Sequence, residues 1–223
     1  MNADWFVPAL AAHVPRLAAA YGIECRSVST DRVVLTFDDG PHPEGTPAVL
    51  EELDRRRATA TFFLVGEQVA QRPGLAREIV DAGHEVGVHG YGHTLLLRRR
   101  GSELARDLDR AAETIASATG VVPVLYRPPY GVFSSGGLAQ VRSRGWRPLL
   151  WSSWGRDWER RATPESIARR ATKGLRPGDV VLLHDSDAYS SADSWRNMAA
   201  ALPAVLEAVA ALGVEASSFT HST

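Results

Sequence analysis

The sequence is poor in several features that mark particular classes of protein. Cys25 is the only cysteine among 223 residues, which excludes an internal disulfide framework and a cysteine-based zinc finger. The formal net charge is −1 at pH 7, so we expect neither a broad cationic surface nor a nucleic-acid partner. No glycine-rich phosphate loop of the G-x-G-x-x-G or G-x-x-x-x-G-K-[ST] type is present. A nucleotide-binding fold therefore has no positive support.

Long hydrophobic runs are also missing. No apolar stretch approaches the roughly 20 residues that a membrane-spanning helix needs, so we predict no transmembrane segment. The N-terminal residues include Asp4, His13 and Arg16, and they lack the basic start and unbroken apolar run of a signal peptide. The compartment stays unknown on this basis, with a cytoplasmic location slightly favoured. The oligomeric state is not visible in the sequence.

What the sequence does contain is a regular alternation of strand and helix patterns. Hydrophobic content is 44%, as in soluble globular domains. We predict seven strands, at 33–37, 59–65, 84–88, 124–126, 146–151, 179–183 and 214–216, and helices at 46–57, 73–82, 102–119, 138–144, 163–173 and 198–212. Such alternation requires parallel strands joined by crossovers. Seven units can close or nearly close a barrel, and a doubly wound open sheet is the alternative.

Polar residues follow the predicted strands one after another. In parallel α/β folds, functional groups lie at the carboxyl ends of the strands. The residues in these positions are Asp38 and Asp39, His89 with His93 four residues later, Arg127, Asp157, and His184 with Asp185. Each could by itself be a turn, a buried ion pair or a core histidine. Their arrival at one edge of one sheet favours a functional site.

Three of these residues form a plausible set of metal ligands. Asp39, His89 and His93 supply one carboxylate and two imidazoles, which suit Zn²⁺ and also Co²⁺, Fe²⁺ or Mn²⁺. Such an ion lowers the pKa of bound water to about 7. Asp38 is then a candidate base and His184 a candidate acid.

The two remaining charged residues would support that pair. Arg127 would keep Asp38 ionised and oriented. Asp157 would hold His184 in its protonated form through its opposite charge.

Five ordered motifs make the chain resemble the polysaccharide deacetylases, the NodB-type proteins of carbohydrate esterase family four. The motifs are Thr36-Phe37-Asp38-Asp39-Gly40, His89-x-x-x-His93, Arg127-Pro128-Pro129-Tyr130, Asp157-Trp158 and Leu182-Leu183-His184-Asp185. The resemblance extends from about residue 32 to about residue 216. It implies a distorted (β/α)₇ barrel. We accordingly predict a catalytic domain over 31–223 and an N-terminal extension over 1–30 that packs on it.

The resemblance also implies a reaction, the metal-dependent removal of an N-acetyl group from an N-acetylglucosamine-type sugar or glycan. It makes Asp38 the base, His184 the acid, and Arg127 and Asp157 their partners. It makes Asp39, His89 and His93 the ligands of one divalent ion, with Zn first and Co, Fe, Mn or Ni as alternatives. The backbone N–H of Tyr130 would stabilise the oxyanion, and Leu182 and Trp158 would receive the acetyl methyl group.

The sequence departs from the family pattern in two places. Trp154 occupies a position that is often acidic in the D-x-x-D-W motif, and Gly90 stands where Ser or Thr often follows the first histidine. Neither change removes a proposed catalytic group. Trp154 could stack on a sugar ring or pack the end of the barrel. His42 is a conceivable fourth ligand, although a loop histidine is the preferred interpretation, and 189–196 is predicted to be a mobile rim loop.

Other functions remain open at this level. The chain could be a non-catalytic carbohydrate-binding relative, or a deacetylase of a small amide or an acetyl ester. A two-histidine, one-carboxylate set also serves non-haem iron oxygenases. An oxygenase, however, does not call for the paired base and acid. Which glycan or small molecule is the substrate cannot be deduced from the residues.

Overall fold

The computed structural model describes residues 15–98 and 101–220. Within these ranges it has eight strands and eight α-helices, which alternate along most of the chain. The strands are β1 Arg32–Asp38, β2 Thr61–Leu64, β3 Glu85–Val88, β4 Leu125–Tyr126, β5 Arg147–Pro148, β6 Ser153–Trp154, β7 Val180–His184 and β8 Glu215–Ser217. The helices are α1 Pro15–Ala20, α2 Gly45–Arg55, α3 Gly66–Gln71, α4 Pro73–Asp81, α5 Gly101–Thr119, α6 Ser135–Ser143, α7 Pro164–Ala171 and α8 Ser194–Ala211.

All the named strands pair in parallel within one sheet, as the alternation predicts. Their order is β5-β4-β3-β2-β1-β7-β6, and β8 pairs with β1 beside this path. The two strands at the ends of the order, β5 and β6, are consecutive in the chain. Residues 149–152 thus connect the two edges of the curled sheet, which is the form a distorted barrel takes.

The central strand carries the core of the domain. Every residue of β1 is buried, as its β-branched and aromatic run predicts for a parallel strand covered on both faces. On the outside, α5 buries Leu104, Leu108 and Ile115 at the spacing of one helical face. None of the described helices is long and apolar enough to cross a membrane.

Two sequence-based boundaries were wrong. The predicted strand 146–151 contains only the two-residue strand β5, which pairs with β4. The next strand, β6, begins beyond it at Ser153 and pairs with β7 on the other side of the sheet. Helix α8 begins at Ser194 rather than 198, so the predicted rim loop ends at Asp193. The six-residue helix α3 was not predicted, since it is too short for a periodic apolar pattern.

Residues 15–26 lie along the β5 side of the sheet. Ala18 and Ile23 are buried in the core. The Glu24 N–H donates to the Pro148 carbonyl at 2.9 Å, and the Leu150 N–H donates to the Glu24 carbonyl at 2.7 Å. Residues 1–14 of the predicted extension lie outside the described residues, and the division of the chain at residue 30 stays a prediction.

Candidate active site

The strand register brings the predicted residues to one edge of the sheet. Asp38, the last residue of β1, pairs with His184, the last residue of β7. Val88 of β3 pairs with Tyr126 of β4, so His89 and Arg127 leave the sheet side by side. These ends surround a cavity of about 210 Å³, which is lined by Asp38, Asp39, His89, His93, Tyr130, Gly131, Trp151, Trp154, Trp158, Leu182, His184, Tyr189 and Ser190.

Asp39, His89 and His93 converge on one point. One potential ligand atom from each lies within 4.8 Å of the others. The Asp39 Oδ1 atom is 3.4 Å from His89 Nε2 and 3.2 Å from His93 Nε2, yet within the described residues this buried oxygen accepts no hydrogen bond. Burial opposes the ionisation of Asp39, but the two imidazoles and the charge of His184 outweigh it and hold the Asp39 pKa well below its usual range. A buried, ionised oxygen facing two imidazole nitrogens fits a divalent ion.

The local backbone explains how two of these ligands are aimed. Asp39 has a φ of 79°, a left-handed conformation that turns the chain sharply at the end of β1. His89 Nδ1 lies 2.8 Å from the Arg127 carbonyl oxygen. Because a carbonyl only accepts, Nδ1 carries a proton, which leaves Nε2 as the ring nitrogen that lies near Asp39 and is available to a metal ion. Orientation of a histidine through its second nitrogen is the usual support for a metal ligand.

Asp38 and Arg127 form a buried ion pair beside this cluster. Arg127 Nη1 donates to Asp38 Oδ1 at 2.7 Å and to Thr36 Oγ1 at 2.8 Å. Its Nη2 donates to the Leu150 carbonyl at 2.9 Å, and the side chain is fully buried. Burial lowers the pKa of Arg127 from its usual value, and the charge and hydrogen bond of Asp38 offset part of this effect. The other oxygen of Asp38 is 3.8 Å from His89 Nε2, so it lies next to the candidate ligands without a close bond to them.

His184 is held by Asp157 at two atoms. Its Nδ1 is 3.0 Å from Asp157 Oδ1, and its backbone N–H donates to Asp157 Oδ2 at 2.7 Å. Burial alone would lower the pKa of His184, but Asp157 first, then Asp39 and Asp38, raise it to about 10. The imidazole is therefore protonated at neutral pH, with its Nδ1–H bonded to Asp157.

One side of the cavity is an apolar wall. The Trp158 ring meets the His184 ring edge-on at 5.3 Å, and Trp154 lies between Trp158 and Trp151 at 5.6 and 5.7 Å. Leu182 lines the cavity beside them. Trp154 thus belongs to the cavity lining, together with Trp151 and Trp158.

Tyr130 lies at the rim of the same cavity. Its φ of 62° is left-handed and its side chain is 60% exposed. The ring packs edge-on against His93 at a centroid distance of 4.6 Å. An unusual backbone conformation at a site of this kind is compatible with a functional backbone N–H, and that role stays a prediction.

His42 has a different task from metal binding. Its Nδ1 accepts the backbone N–H of Gly45 at 2.9 Å, at the first residue of α2, and its Nε2 is 3.3 Å from Asp187. The ring thereby satisfies a donor at the start of a helix whose N-cap residue, Glu44, makes no side-chain cap. His42 does not belong to the described ligand cluster.

Two residues near the site had no role assigned from the sequence. Tyr189 stacks on His93, although the sequence placed it only within a rim loop. Asp185, named in the sequence only as the neighbour of His184, is fully buried and accepts a hydrogen bond from the Thr46 hydroxyl, and burial raises the pKa of its carboxyl to about 7. The two contacts join residues that are 96 and 139 positions apart in the chain, which no local pattern reveals.

The parallel barrel and its cluster of carboxylates and imidazoles define an α/β-barrel hydrolase. The model of the polysaccharide deacetylase family matches residues 26–149, and the chain belongs to this family. The predicted family and fold are thus confirmed.

Curated relatives differ in how much of their length the chain covers. The chitooligosaccharide deacetylase of Azorhizobium caulinodans is 37% identical over 164 residues, which cover 73% of this chain and 78% of the relative. The peptidoglycan-N-acetylglucosamine deacetylase PgdA of Listeria monocytogenes is 34% identical over 161 residues. That match covers 72% of this chain but only 34% of PgdA.

Solved structures agree on the fold. The crystal structure of the Bc1960 peptidoglycan N-acetylglucosamine deacetylase superposes with a TM-score of 0.82 at 26% identity, over 90% of this chain and 92% of that one. BA3943 from Bacillus anthracis, a pseudoenzyme of the same esterase family, superposes with a TM-score of 0.76 at 26% identity, over 88% of this chain and 66% of that one. Because this fold also occurs in a pseudoenzyme, the side chains rather than the fold must carry the argument for activity.

Proposed function

We propose that this protein is a metal-dependent deacetylase that hydrolyses the N-acetyl group of an N-acetylglucosamine-type carbohydrate. The observation that carries the proposal is the convergence of Asp39, His89 and His93 within 4.8 Å of one another, in a cavity that Asp38 and His184 also line. Zn²⁺ is the ion that this donor set suits first, with Co²⁺, Fe²⁺, Mn²⁺ or Ni²⁺ as alternatives. A bound divalent ion supplies Lewis acidity that polarises an amide carbonyl and makes water a better nucleophile at neutral pH.

Asp38 takes the proton of the attacking water. The buried guanidinium of Arg127 donates a 2.7 Å hydrogen bond to this carboxylate. Arg127 also fixes the direction of the carboxylate, since its other donors are bonded to Leu149 and Leu150 carbonyls. A positioned general base contributes about 10²–10⁴-fold to a rate.

His184 donates a proton to the leaving nitrogen. Its Nδ1–H is occupied by Asp157, so Nε2 is the atom left to deliver the proton. The raised pKa keeps the imidazole charged before the reaction, and the pairing in register of Asp38 with His184 places base and acid on adjacent strands. The expulsion of an amine needs such an acid, because an amide nitrogen is otherwise a poor leaving group.

The apolar wall would receive the acyl group. Leu182 is 3% exposed and Trp158 borders His184, so a methyl group placed between them would be shielded from water. We assign the backbone N–H of Tyr130 as an oxyanion donor. This assignment rests on the family motif together with the left-handed conformation at that residue.

The class of substrate is argued from relatives named as chitooligosaccharide and peptidoglycan-N-acetylglucosamine deacetylases. The test is acetate release from a panel of acetylated glucosamine oligomers, with Zn²⁺ or Co²⁺ added. We expect release by the wild type and its loss in His89→Ala, together with loss of stoichiometric metal in elemental analysis. The control is His84→Ala, which removes another buried histidine at the opposite end of β3 and should leave metal content unchanged.

The outcomes separate the alternatives. Metal bound without acetate release from any sugar would favour a non-catalytic relative. Release only from small amides or acetyl esters would move the substrate class away from glycans. Full metal content in His89→Ala would refute the ligand assignment and with it the proposal.

A further inference from the structure

His93 lies between two aromatic rings. The Tyr189 ring stacks on it almost in parallel, with centroids 4.2 Å apart and planes at 12°. The Tyr130 ring meets it edge-on at 4.6 Å. The His93 side chain is 6% exposed, so these rings cover most of the imidazole that faces away from Asp39.

The two histidines of the cluster are supported in different ways. His89 is oriented by the hydrogen bond from its Nδ1 to the Arg127 carbonyl. The Nδ1 atom of His93 is buried and has no hydrogen-bond partner among the described residues. Metal-binding histidines are almost always fixed through their second ring nitrogen. Within the described residues, the closest ring contacts that can orient His93 are those with Tyr189 and Tyr130.

Tyr189 is itself anchored to a distant element. Its hydroxyl donates to Glu67 Oε1, and Gln68 Nε2 donates to the same hydroxyl at 3.2 Å. Arg72 holds Gln68 in turn, through a 2.8 Å hydrogen bond to its Oε1. Glu67 and Gln68 belong to α3, so the loop after β7 is fastened to the helix that follows β2.

We infer that Tyr189 is a positioning residue, whose anchored ring holds His93 in the orientation needed to bind the metal ion. The inference rests on the proposed function, because it assumes that His93 is a ligand. It assigns the stacked ring the task that a hydrogen bond performs for His89. The hydroxyl contributes less directly, by fixing the ring through Glu67 and Gln68.

The experiment compares variants that separate the ring from its hydroxyl. Tyr189→Phe keeps the stacked ring and loses the anchor, whereas Tyr189→Leu loses the ring. The Zn²⁺ dissociation constant is measured by competition with a chelator, and the Co²⁺ form gives a visible spectrum of the ligand field. We expect Tyr189→Leu to weaken Zn²⁺ binding by about 10–100-fold, the range for lost support of a metal ligand, and to alter the Co²⁺ spectrum. Tyr189→Phe should retain most of the wild-type Zn²⁺ affinity and most of the wild-type Co²⁺ spectrum.

Controls keep the result interpretable. Tyr21→Leu makes the same change at a partly buried tyrosine outside the cavity lining and should bind Zn²⁺ as the wild type does. Tyr189→Thr provides a second non-aromatic variant in case the leucine variant does not fold. Wild-type affinity and spectrum in a folded non-aromatic variant would overturn the inference, as would equal losses in Tyr189→Phe and Tyr189→Leu.

The failure of the inference is distinguishable from that of the proposed function. If the wild type binds no ion, or if His93→Ala binds it unchanged, the proposed function itself fails. If the wild type binds one ion through His93 and the ring of Tyr189 makes no difference, only the role of Tyr189 is lost.

Discussion

Asp157→Asn tests the acid side of the site most directly. In the wild type, the two carboxylate oxygens accept one hydrogen bond each from His184, at Nδ1 and at the backbone N–H. An asparagine of the same shape has one oxygen and one NH₂ group. It can therefore satisfy only one of the two donors, and it no longer carries the charge that favours the imidazolium.

The size of the effect follows from the charge and the distance. An opposite charge at 3.0 Å is within the range in which a pKa shifts by about 1–3 units, which corresponds to about 1.4–4 kcal/mol. Asp157 makes the largest contribution among the groups that raise the pKa of His184 to about 10. Its neutralisation must therefore lower that pKa. A buried donor left without a partner costs about 1–3 kcal/mol of stability in addition.

The assay is the pH dependence of kcat/KM for acetate release. His184 acts in its protonated form, so the rate falls as the pH rises through its pKa. A bound divalent ion lowers this pKa in both proteins, because its charge opposes that of Asp38 and Asp39. We expect the descending limb in Asp157→Asn to lie about 1–3 pH units lower than in the wild type.

The contribution of His184 to the stability of the protein should depend on pH in the opposite sense from that of a carboxylate whose pKa is lowered on folding. The pKa of His184 is raised on folding from 6.5 to about 10, so its contribution is complete below pH 6.5 and is lost as the pH rises through about 10. Chemical denaturation should show that the free energy of unfolding falls more over this pH window in the wild type than in Asp157→Asn. The reason is that folding raises the pKa of His184 less in the variant, so less stability is lost when the imidazolium deprotonates.

The control is Asp179→Asn. Asp179 is equally buried, precedes β7 at the end remote from the cavity, and accepts hydrogen bonds from Ser152 and the Arg176 N–H. Its variant should lower stability and leave the descending limb in place. An unshifted limb in Asp157→Asn, with activity retained, would refute the assignment of His184 as the proton donor.

Two further changes probe other parts of the argument. Asp38→Asn should retain stoichiometric metal in elemental analysis and lose about 10²–10⁴-fold in kcat, as expected for removal of a general base; a near-normal rate would remove Asp38 from that role. Thr163→Ala should lower stability by about 1 kcal/mol with unchanged kcat/KM, because the Thr163 side chain accepts the Ser166 N–H in a capping box at the start of α7. A loss of activity instead would mean that α7 affects the cavity.

Residues typical of helix ends predicted where several helices begin or end. The predicted helix 163–173 starts where the structure has a capping box, with Thr163 as the N-cap and Pro164 as the first helical residue. Gly120 and Gly145 follow α5 and α6 with φ values of 75° and 72°, in the left-handed region that glycine tolerates best. The parallel sheet followed from the alternation of strands and helices, because parallel neighbours need a crossover.

Non-local pairing explains what was missed in the fold. The predicted strand 146–151 is mostly apolar, yet only β5 forms within it and pairs with β4, and the chain then crosses to β6, which pairs with β7. Pro148 is a local mark for the end of a strand, but nothing local shows that the chain crosses there from one edge of the sheet to the other. The same holds for Glu24, which bridges to Leu149 in parallel although it lies in a segment without strand periodicity.

The candidate site was predictable because the geometry of a parallel sheet sends all strand ends to one edge. Asp38 and His184 are 146 positions apart in the sequence, and the register of β1 with β7 brings them opposite each other. No such rule applies to side chains on the connecting loops. Tyr189 is held by its hydrogen bond to Glu67, and His42 by the hydrogen bond it accepts from Gly45. The packing of helices around the barrel brings these partners together. The residues that perform chemistry were therefore visible in the sequence, whereas those that hold them in place became visible only with the fold.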